Sequence, residues 1–150
     1  MEIFDLKYKQ EYLTEVMELE LIEWAKDPFK EKEKRIIKKI NRYFEYIDHN
    51  CFCKLILLDN CKLIGFISIF PNDCDEEPEL SPWYATMFVK KEYRGRGYSK
   101  ILNEAILKEA KNRGMKELYL KTELHNYYEK FGAKFIKKIN NNEKIYKFEI

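Results

Sequence analysis

The chain has 150 residues, of which 45% are hydrophobic and 15% aromatic, and its 28 Lys and Arg residues nearly balance 26 Asp and Glu residues. This length and apolar content predict one globular domain over residues 1–150. The longest apolar run, residues 63–70, is too short to span a bilayer, and a net charge of +2 is too small to favour nucleic acid. We therefore expect neither a membrane nor a nucleic-acid partner.

The cysteines give no indication of a metal site or of disulfides. The four residues, Cys51, Cys53, Cys61 and Cys74, include no Cys-x-x-Cys pair, whereas zinc ligands come in closely spaced pairs. The first residues have no basic patch followed by an apolar stretch, as a secretory signal would have. We expect reduced thiols, no bound metal and a cytoplasmic protein.

Apolar periodicity predicts a chain that alternates between strands and helices. Strands are predicted at residues 2–6, 52–58, 63–70, 84–89, 118–121, 133–139 and 144–150. Helices are predicted at residues 9–26, 31–47, 99–112 and 126–131. Hairpins dominate this order, and Asp59-Asn60 predicts one of them. The prediction is an α+β fold, with a mixed, mostly antiparallel sheet of about seven strands flanked by helices in α/β/α layers.

Two of the five glycines, Gly95 and Gly97, lie together between a predicted strand and a predicted helix. Glycine permits the tight curvature that turns successive N–H groups toward one point, where the helix dipole also favours an anion. Arg94, Arg96 and Lys100 add positive charge. The loop therefore predicts a phosphate site, and the alternative is an ordinary strand-to-helix turn.

The loop has neither common nucleotide-binding pattern: G-x-x-x-x-G-K-[ST] is absent, and Lys100 occupies the third glycine position of G-x-G-x-x-G. Over residues 94–99 it resembles the pyrophosphate loop of the GNAT superfamily of acyl-CoA-dependent N-acyltransferases, [QR]-x-x-G-x-[GA], with Ser99 at the last position. Residues 127–135 resemble the family's YEKxGF element, with Ala133 in place of Phe. Together with the strand order, the two motifs make the chain similar to this family over essentially its whole length.

The resemblance implies acetyl-CoA as co-substrate and no metal. The fourth and fifth strands would splay, pantetheine would lie between them, and the pyrophosphate would rest on the loop. The cofactor-binding residues implied in this way are Phe88, Val89, Arg94, Gly95, Arg96, Gly97, Tyr98, Ser99, Lys100 and Asn126. Tyr128, which matches the family's tyrosine, would be the general acid that protonates the departing thiolate; the alternative is a packing tyrosine.

Acyl transfer to an amine also needs a group that removes the amine's proton, because an alkylamine keeps its proton up to a pKa of about 10.4. The acidic stretch 73–79 holds five carboxylates, and Glu79 is the candidate general base, with Glu77, Asp75 and Asp73 as alternatives. These carboxylates would attract a cationic acceptor, unless they form only a solvated loop. The expected acceptor-binding residues are Glu77, Trp83 and Tyr84.

The resemblance thus implies an N-acetyltransferase that moves an acetyl group from acetyl-CoA to a primary amine by direct attack in a ternary complex, and the acidic stretch favours a small, cationic acceptor. The alternative is a non-catalytic acyl-CoA sensor or adaptor with the same fold, since fold does not guarantee activity. A monomer or a homodimer is compatible with either function.

Overall fold

The computed structural model describes all 150 residues of the chain. Its strands are β1 (Glu2–Asp5), β2 (Cys53–Asp59), β3 (Lys62–Phe70), β4 (Trp83–Val89), β5 (Glu117–Thr122), β6 (Lys134–Lys138) and β7 (Lys144–Glu149). Its α-helices are α1 (Leu13–Trp24), α2 (Lys32–Tyr46) and α3 (Tyr98–Asn112), and four short 3₁₀ turns complete the secondary structure. No helix is both long and apolar enough to cross a membrane.

All seven strands belong to one sheet with the order β1-β2-β3-β4-β5-β7-β6. Neighbouring strands are antiparallel except β4 and β5, which are parallel and share one register pair, Trp83 with Tyr119. The predicted α+β class and the mixed, mostly antiparallel sheet of seven strands are confirmed.

The helices cover both faces of the sheet, because side chains of successive strand residues point to opposite faces. In β2, Leu55 and Leu57 pack in the same core cluster as Leu102 and Ile106 of α3. Ile56, between them, belongs to the second cluster, which contains the buried faces of α1 and α2. The sheet is therefore the middle layer of three.

The absence of a side chain at Gly65 lets β3 lie close to β4 and to α3. A Cβ atom at this position would lie 2.3 Å from the carbonyl oxygen of Phe88 and 3.2 Å from a side-chain carbon of Leu102. Since the first of these neighbours is backbone, no side chain can be added without moving β4. Glycine is required here by close approach.

Two predicted helices are shorter in the structure. The helix predicted at 9–26 begins only at Leu13, because the Asp5 carboxylate accepts the Lys7 N–H at 3.0 Å and starts a 3₁₀ turn, and Lys9 has a non-helical backbone (φ −139°). The helix predicted at 126–131 is a single 3₁₀ turn, Tyr128–Phe131, ended by Gly132 at φ +97°.

The predicted hairpin between β2 and β3 is present, with its turn one residue later than Asp59-Asn60. Asp59 pairs with Lys62, and the two loop residues, Asn60 and Cys61, have φ values of +49° and +64°. Two residues with positive φ are typical of the type I′ turn, whose twist matches that of the strands it joins.

Candidate active site

A cleft of about 790 Å³ lies between the second half of β4 and residues 124–131, which follow β5. Its walls include Met87, Phe88 and Val89 of β4, and Tyr127 and Tyr128 from the region of the last 3₁₀ turn. Beyond the pair formed by Trp83 and Tyr119 the two strands share no further register pair. The edge of β4 that would otherwise bind a neighbouring strand therefore faces the cleft, which we call the β4–β5 cleft.

One end of the β4–β5 cleft is formed by the glycine loop and the start of α3. Gly95 and Gly97 have φ values of +78° and +82°, and no atom lies within 4 Å of where their Cβ atoms would be. The helix that follows has no side-chain cap and no acidic residue in its first turn. Since the first N–H groups of a helix have no partner within the helix, this end of the cleft offers donors and a positive dipole to an anion.

Arg94 ties the glycine loop to the end of β4. Its Nε donates a hydrogen bond to the carbonyl oxygen of Val89 at 2.8 Å, and its guanidinium lies 5.6 Å from the ring centroid of Phe88. The loop and the strand edge are thereby fixed relative to each other.

Eight of the ten predicted cofactor residues line the β4–β5 cleft; Arg96 and Asn126 do not. Arg96 is exposed, with its guanidinium 5.9 Å from the ring of Tyr93, and Asn126 is exposed at φ +53°.

Tyr128 lines the same cleft and is 9% exposed. Its ring makes edge-to-face contacts with Tyr127 and Tyr84, at centroid distances of 4.8 and 5.8 Å. Burial, with a smaller contribution from Tyr127, raises the pKa of Tyr128 to about 12. The phenol therefore carries its proton at neutral pH, the state required of a proton donor.

The other predicted site residues lie outside this cleft. Glu79 is exposed, and Glu77 forms an ion pair with Lys137. Trp83 and Tyr84 are fully buried: the Trp83 indole N–H donates to the carbonyl oxygen of Leu80 at 2.8 Å, and the Tyr84 hydroxyl donates to Asn103 Oδ1 at 2.8 Å. Both aromatic residues pack in the core at the base of β4.

A second recess, of about 200 Å³, lies on the face of the sheet covered by α1 and α2, and we call it the α2 cavity. The loop between β3 and β4, residues 71–82, contains the acidic stretch, and we call it the acidic loop. The polar lining of the cavity comes from five different elements: Glu20 of α1, Lys39 and Arg42 of α2, Lys54 of β2, Thr86 of β4, and Asn72 and Asp73 of the acidic loop. Among these, sequence reasoning singled out Asp73 alone. The sequence signals for the others are Lys54, a lysine inside an otherwise apolar predicted strand, and the run of basic residues from Lys26 to Arg42, whose expected role was a solvated helix face.

Lys54 is a buried cation at the floor of the α2 cavity, with a side chain 1% exposed. Its Nζ lies 3.2 Å from Glu20 Oε2, an ion pair without hydrogen-bond geometry, and donates to Ser68 Oγ at 2.5 Å. Thr86 Oγ1 lies 2.5 Å from Ser68 Oγ. Burial lowers the pKa of Lys54, and the charge of Glu20 acts in the opposite direction. This network links α1 to three strands.

Thr86 marks a β-bulge in the middle of β4. The register with β3 changes from Phe66 opposite Phe88 to Ser68 opposite Ala85, so β4 has one extra residue, and Thr86 has a φ of +50°. One consequence is that Thr86 lines the α2 cavity whereas Met87, the next residue, lines the β4–β5 cleft.

Helix α1, like β4, contributes lining residues to both recesses. Glu20 lines the α2 cavity, and Glu23, about one turn further on, lines the β4–β5 cleft. Neighbouring residues of two elements thus divide between the two recesses, which adjoin each other at the bulge.

Asp73 is the carboxylate of the acidic loop that faces the α2 cavity. It has no side-chain hydrogen bond and no cation within 4 Å. Burial raises its pKa to about 6, although the charges of Lys121 and Arg42 oppose the shift. A carboxylate with this pKa is ionised at neutral pH and is a stronger base than an ordinary aspartate.

Comparison with known proteins identifies the family. The model of the Acetyltransferase (GNAT) family matches residues 13–133. The chain is 30% identical over 130 residues to N-alpha-acetyltransferase 30 of Schizosaccharomyces pombe. The aligned region covers 83% of this chain and 79% of the yeast protein.

Solved structures agree in fold. The PaiA N-acetyltransferase of Thermoplasma acidophilum, in complex with coenzyme A, has a TM-score of 0.68 and 20% identity over 100% of both chains. The ribosomal-protein-alanine N-acetyltransferase of Brucella melitensis has a TM-score of 0.70 and 14% identity, also over 100% of both chains. The family model and the Schizosaccharomyces relative confirm the predicted family and enzyme class: the chain belongs to the Acetyltransferase (GNAT) family and is an acyltransferase.

Proposed function

We propose that this protein transfers an acetyl group from acetyl-CoA, bound in the β4–β5 cleft, to a primary amine of a small acceptor bound in the α2 cavity. The acceptor arrives as a cation because its amine is protonated in water. The observation that carries this proposal is that the two recesses adjoin at the bulge of β4, where Thr86 and Met87 line one each. The small size of the α2 cavity supports a small acceptor.

The residues of the β4–β5 cleft fit acetyl-CoA. The uncapped start of α3 and the open space beside Gly95 and Gly97 suit a pyrophosphate, and Ser99 and Lys100 line the same end. The edge of β4 at Phe88 and Val89 suits the amide groups of pantetheine. When bound, acetyl-CoA supplies the acetyl thioester; the complex of the Thermoplasma protein with coenzyme A supports this assignment.

Asp73 is our candidate for the base that takes the proton of the acceptor. Glu79 and Asp73 both belong to the acidic loop, but Asp73 alone of the two lines a recess that adjoins the cleft. Its carboxylate is ionised at neutral pH, attracts an ammonium group and has the basicity to accept the proton.

Tyr128 is our candidate for the acid. The new bond joins the acceptor nitrogen to the acetyl carbon, and the bond that breaks joins this carbon to sulfur. The ammonium acceptor loses two protons in all. Asp73 takes the first before attack and passes it to water, and Tyr128 gives a proton to the departing sulfur and regains one from the second that nitrogen loses once the new bond has formed. The protonated state and the position of Tyr128 in the wall of the cleft support this role.

The test is release of free thiol from acetyl-CoA across a panel of amines, together with calorimetric titration of coenzyme A. Binding of coenzyme A with acceptor-dependent thiol release is expected. Binding without thiol release for any amine would favour the alternative, a non-catalytic acyl-CoA sensor. No binding of coenzyme A at millimolar concentration would contradict both functions.

A second acceptor class is the α-amino group of a peptide. The observation that favours it is the 30% identity with N-alpha-acetyltransferase 30 of Schizosaccharomyces pombe. Including short peptides with a free N-terminus in the panel tests this class. We also propose a cytoplasmic location, which the four unpaired cysteines support.

A further inference from the structure

The α2 cavity contains more positive than negative charge. Its lining has three cationic side chains, Lys39, Arg42 and Lys54, and two carboxylates, Glu20 and Asp73. Lys54 and Glu20 are buried and paired with each other, so their charges offset. One carboxylate, Asp73, is then left to face two cations.

Those two cations come from the same side of α2. Lys39 and Arg42 are three residues apart, a spacing that puts their side chains next to each other on a helix. Neither has a carboxylate within 4 Å, and the guanidinium of Arg42 lies 5.7 Å from the ring of Tyr46.

Two other cations of α2 are engaged by the protein itself, and Lys39 and Arg42 are the cations of this helix that line the cavity. Lys32 forms an ion pair with Glu18 at 2.8 Å. Arg35 donates to the carbonyl oxygens of Lys26, Asp27 and Lys30 at 2.7 to 3.2 Å. The helix therefore directs two unpaired cations, Lys39 and Arg42, at the cavity, whereas its unpaired Lys34 and Lys38 are exposed and do not line it.

We infer that the acceptor is an amine that also carries a carboxylate a few atoms from its nitrogen, with Lys39 and Arg42 binding the carboxylate and Asp73 facing the ammonium group. The inference rests on the proposed function and adds the substrate class. A zwitterion of this kind complements both signs of charge in the cavity, whereas a diamine would bring a second positive charge toward Lys39 and Arg42. The small volume limits the spacer between the two groups to a short one.

The experiment compares matched acceptors that differ in the carboxylate alone. Alanine is paired with alaninamide, and β-alanine with 3-aminopropanamide, and rates are expressed per concentration of neutral amine. We expect kcat/KM to be at least about tenfold higher for the acid of each pair, the size of effect that one charge-assisted contact supplies. Aspartic acid 1-amide has a blocked α-carboxyl group and a free side-chain carboxylate. Its use as an acceptor would indicate that the recognised carboxylate is the first side chain of a peptide, whereas use of alanine alone would indicate a free amino acid.

Substitutions in α2 test whether the preference comes from this pair. Arg42→Gln and Lys39→Gln are each expected to lower the ratio of kcat/KM for the acid to kcat/KM for the amide about tenfold within each matched pair. The control is Lys38→Gln, which removes an exposed cation of the same helix that does not line the cavity. Thermal unfolding of each variant verifies that the fold is intact.

The outcomes separate this inference from the proposed function. Equal use of acids and amides, or the same change in Lys38→Gln as in Arg42→Gln, overturns the inference while leaving the acetyltransferase in place. Preference for diamines such as putrescine also overturns it. Absence of thiol release with every acceptor contradicts the proposed function itself.

Discussion

Trp83 and Tyr119 form the one register pair that joins β4 to β5, with ring centroids 5.8 Å apart at an angle of 49°. The Tyr119 N–H donates to the carbonyl oxygen of Pro82 at 2.9 Å next to this pair. Both residues lie near the start of their strands, so the pair is the apex from which the β4–β5 cleft opens.

This apex predicts that Trp83→Leu weakens coenzyme A binding although Trp83 lines neither recess. Loss of a fully buried indole is expected to lower the free energy of unfolding by about 3 kcal/mol and to change the angle between the strands. The control is Phe52→Leu, which truncates a buried aromatic residue that packs against Tyr43 and Phe70, away from the apex. Calorimetry on both variants, with urea unfolding alongside, makes the comparison; an equal rise in Kd for both would contradict the role of the apex.

For the phosphate end of the cleft, Gly97→Ala is expected to raise the Kd of coenzyme A about tenfold. Alanine at φ +82° costs roughly 1–2 kcal/mol, and it distorts the backbone at the start of α3, where we propose that the pyrophosphate binds.

Gly114→Ala is the matched control for this substitution. Gly114 has a φ of +80°, equally open surroundings and a position beyond the other end of α3. A similar loss of stability without a change in Kd is expected, and equal Kd values for the two variants would refute a phosphate site at Gly97.

Removal of the Tyr128 hydroxyl is expected to lower kcat roughly 10²-fold or more, because this is what loss of a general acid costs. Affinity for acetyl-CoA should change little in Tyr128→Phe, since the ring and its contacts stay. Tyr119→Phe removes a hydroxyl that donates to Glu117 instead, and serves as control. Steady-state thiol release measures both; unchanged turnover in Tyr128→Phe would exclude it from the chemistry.

The base assignment predicts a pH profile. Burial raises the pKa of Asp73 to about 6, so the carboxyl is protonated below that pH and cannot accept the proton of the acceptor. Plotted per neutral amine, kcat/KM should rise with pH through about 6 and then level off. Asp73→Asn should lower the rate roughly 10²–10⁴-fold and remove this rise. Glu79→Gln should retain it; if Glu79→Gln abolishes the rise instead, the base is Glu79.

The buried ion pair predicts non-additive stability. Lys54→Met leaves the Glu20 carboxylate buried without a cation, which typically costs about 3–5 kcal/mol. The double variant Lys54→Met with Glu20→Leu removes both charges, and we expect it to recover most of that loss. Urea unfolding of the two single variants and the double variant gives the coupling; losses that simply add would show that the two charges do not depend on each other.

The α3 region could be predicted from sequence because its determinants are local. Leu102, Ile106 and Ala110 recur at helical spacing and are fully buried, and the two glycines before the helix have the positive φ values that their residue type permits. The motif, the turn and the helix all lie within residues 94–112, so the loop could be found without knowledge of long-range contacts.

The acceptor side could not be predicted in the same way. Trp83 and Tyr84 follow the acidic loop directly in sequence, yet in the structure they are core residues, because proximity along a strand does not determine which side chains packing leaves exposed. The lining of the α2 cavity comes from Glu20, Lys39 and Asp73 among others, which are far apart in the chain and meet only once the sheet is assembled.

The bulge at Thr86 also determines to which face of the sheet the side chains in each half of β4 point. Tyr84 and Val89, five residues apart, lie in the same core cluster, and Phe88 lies in the opposite one, an arrangement that strict alternation would forbid. Deleting or inserting a single residue in β4 would invert half of the strand and disrupt both recesses at once. Helix α2 is under no such constraint at positions 39 and 42, so a redesign aimed at new acceptors can vary that surface while the acyl-donor half of the enzyme is left untouched.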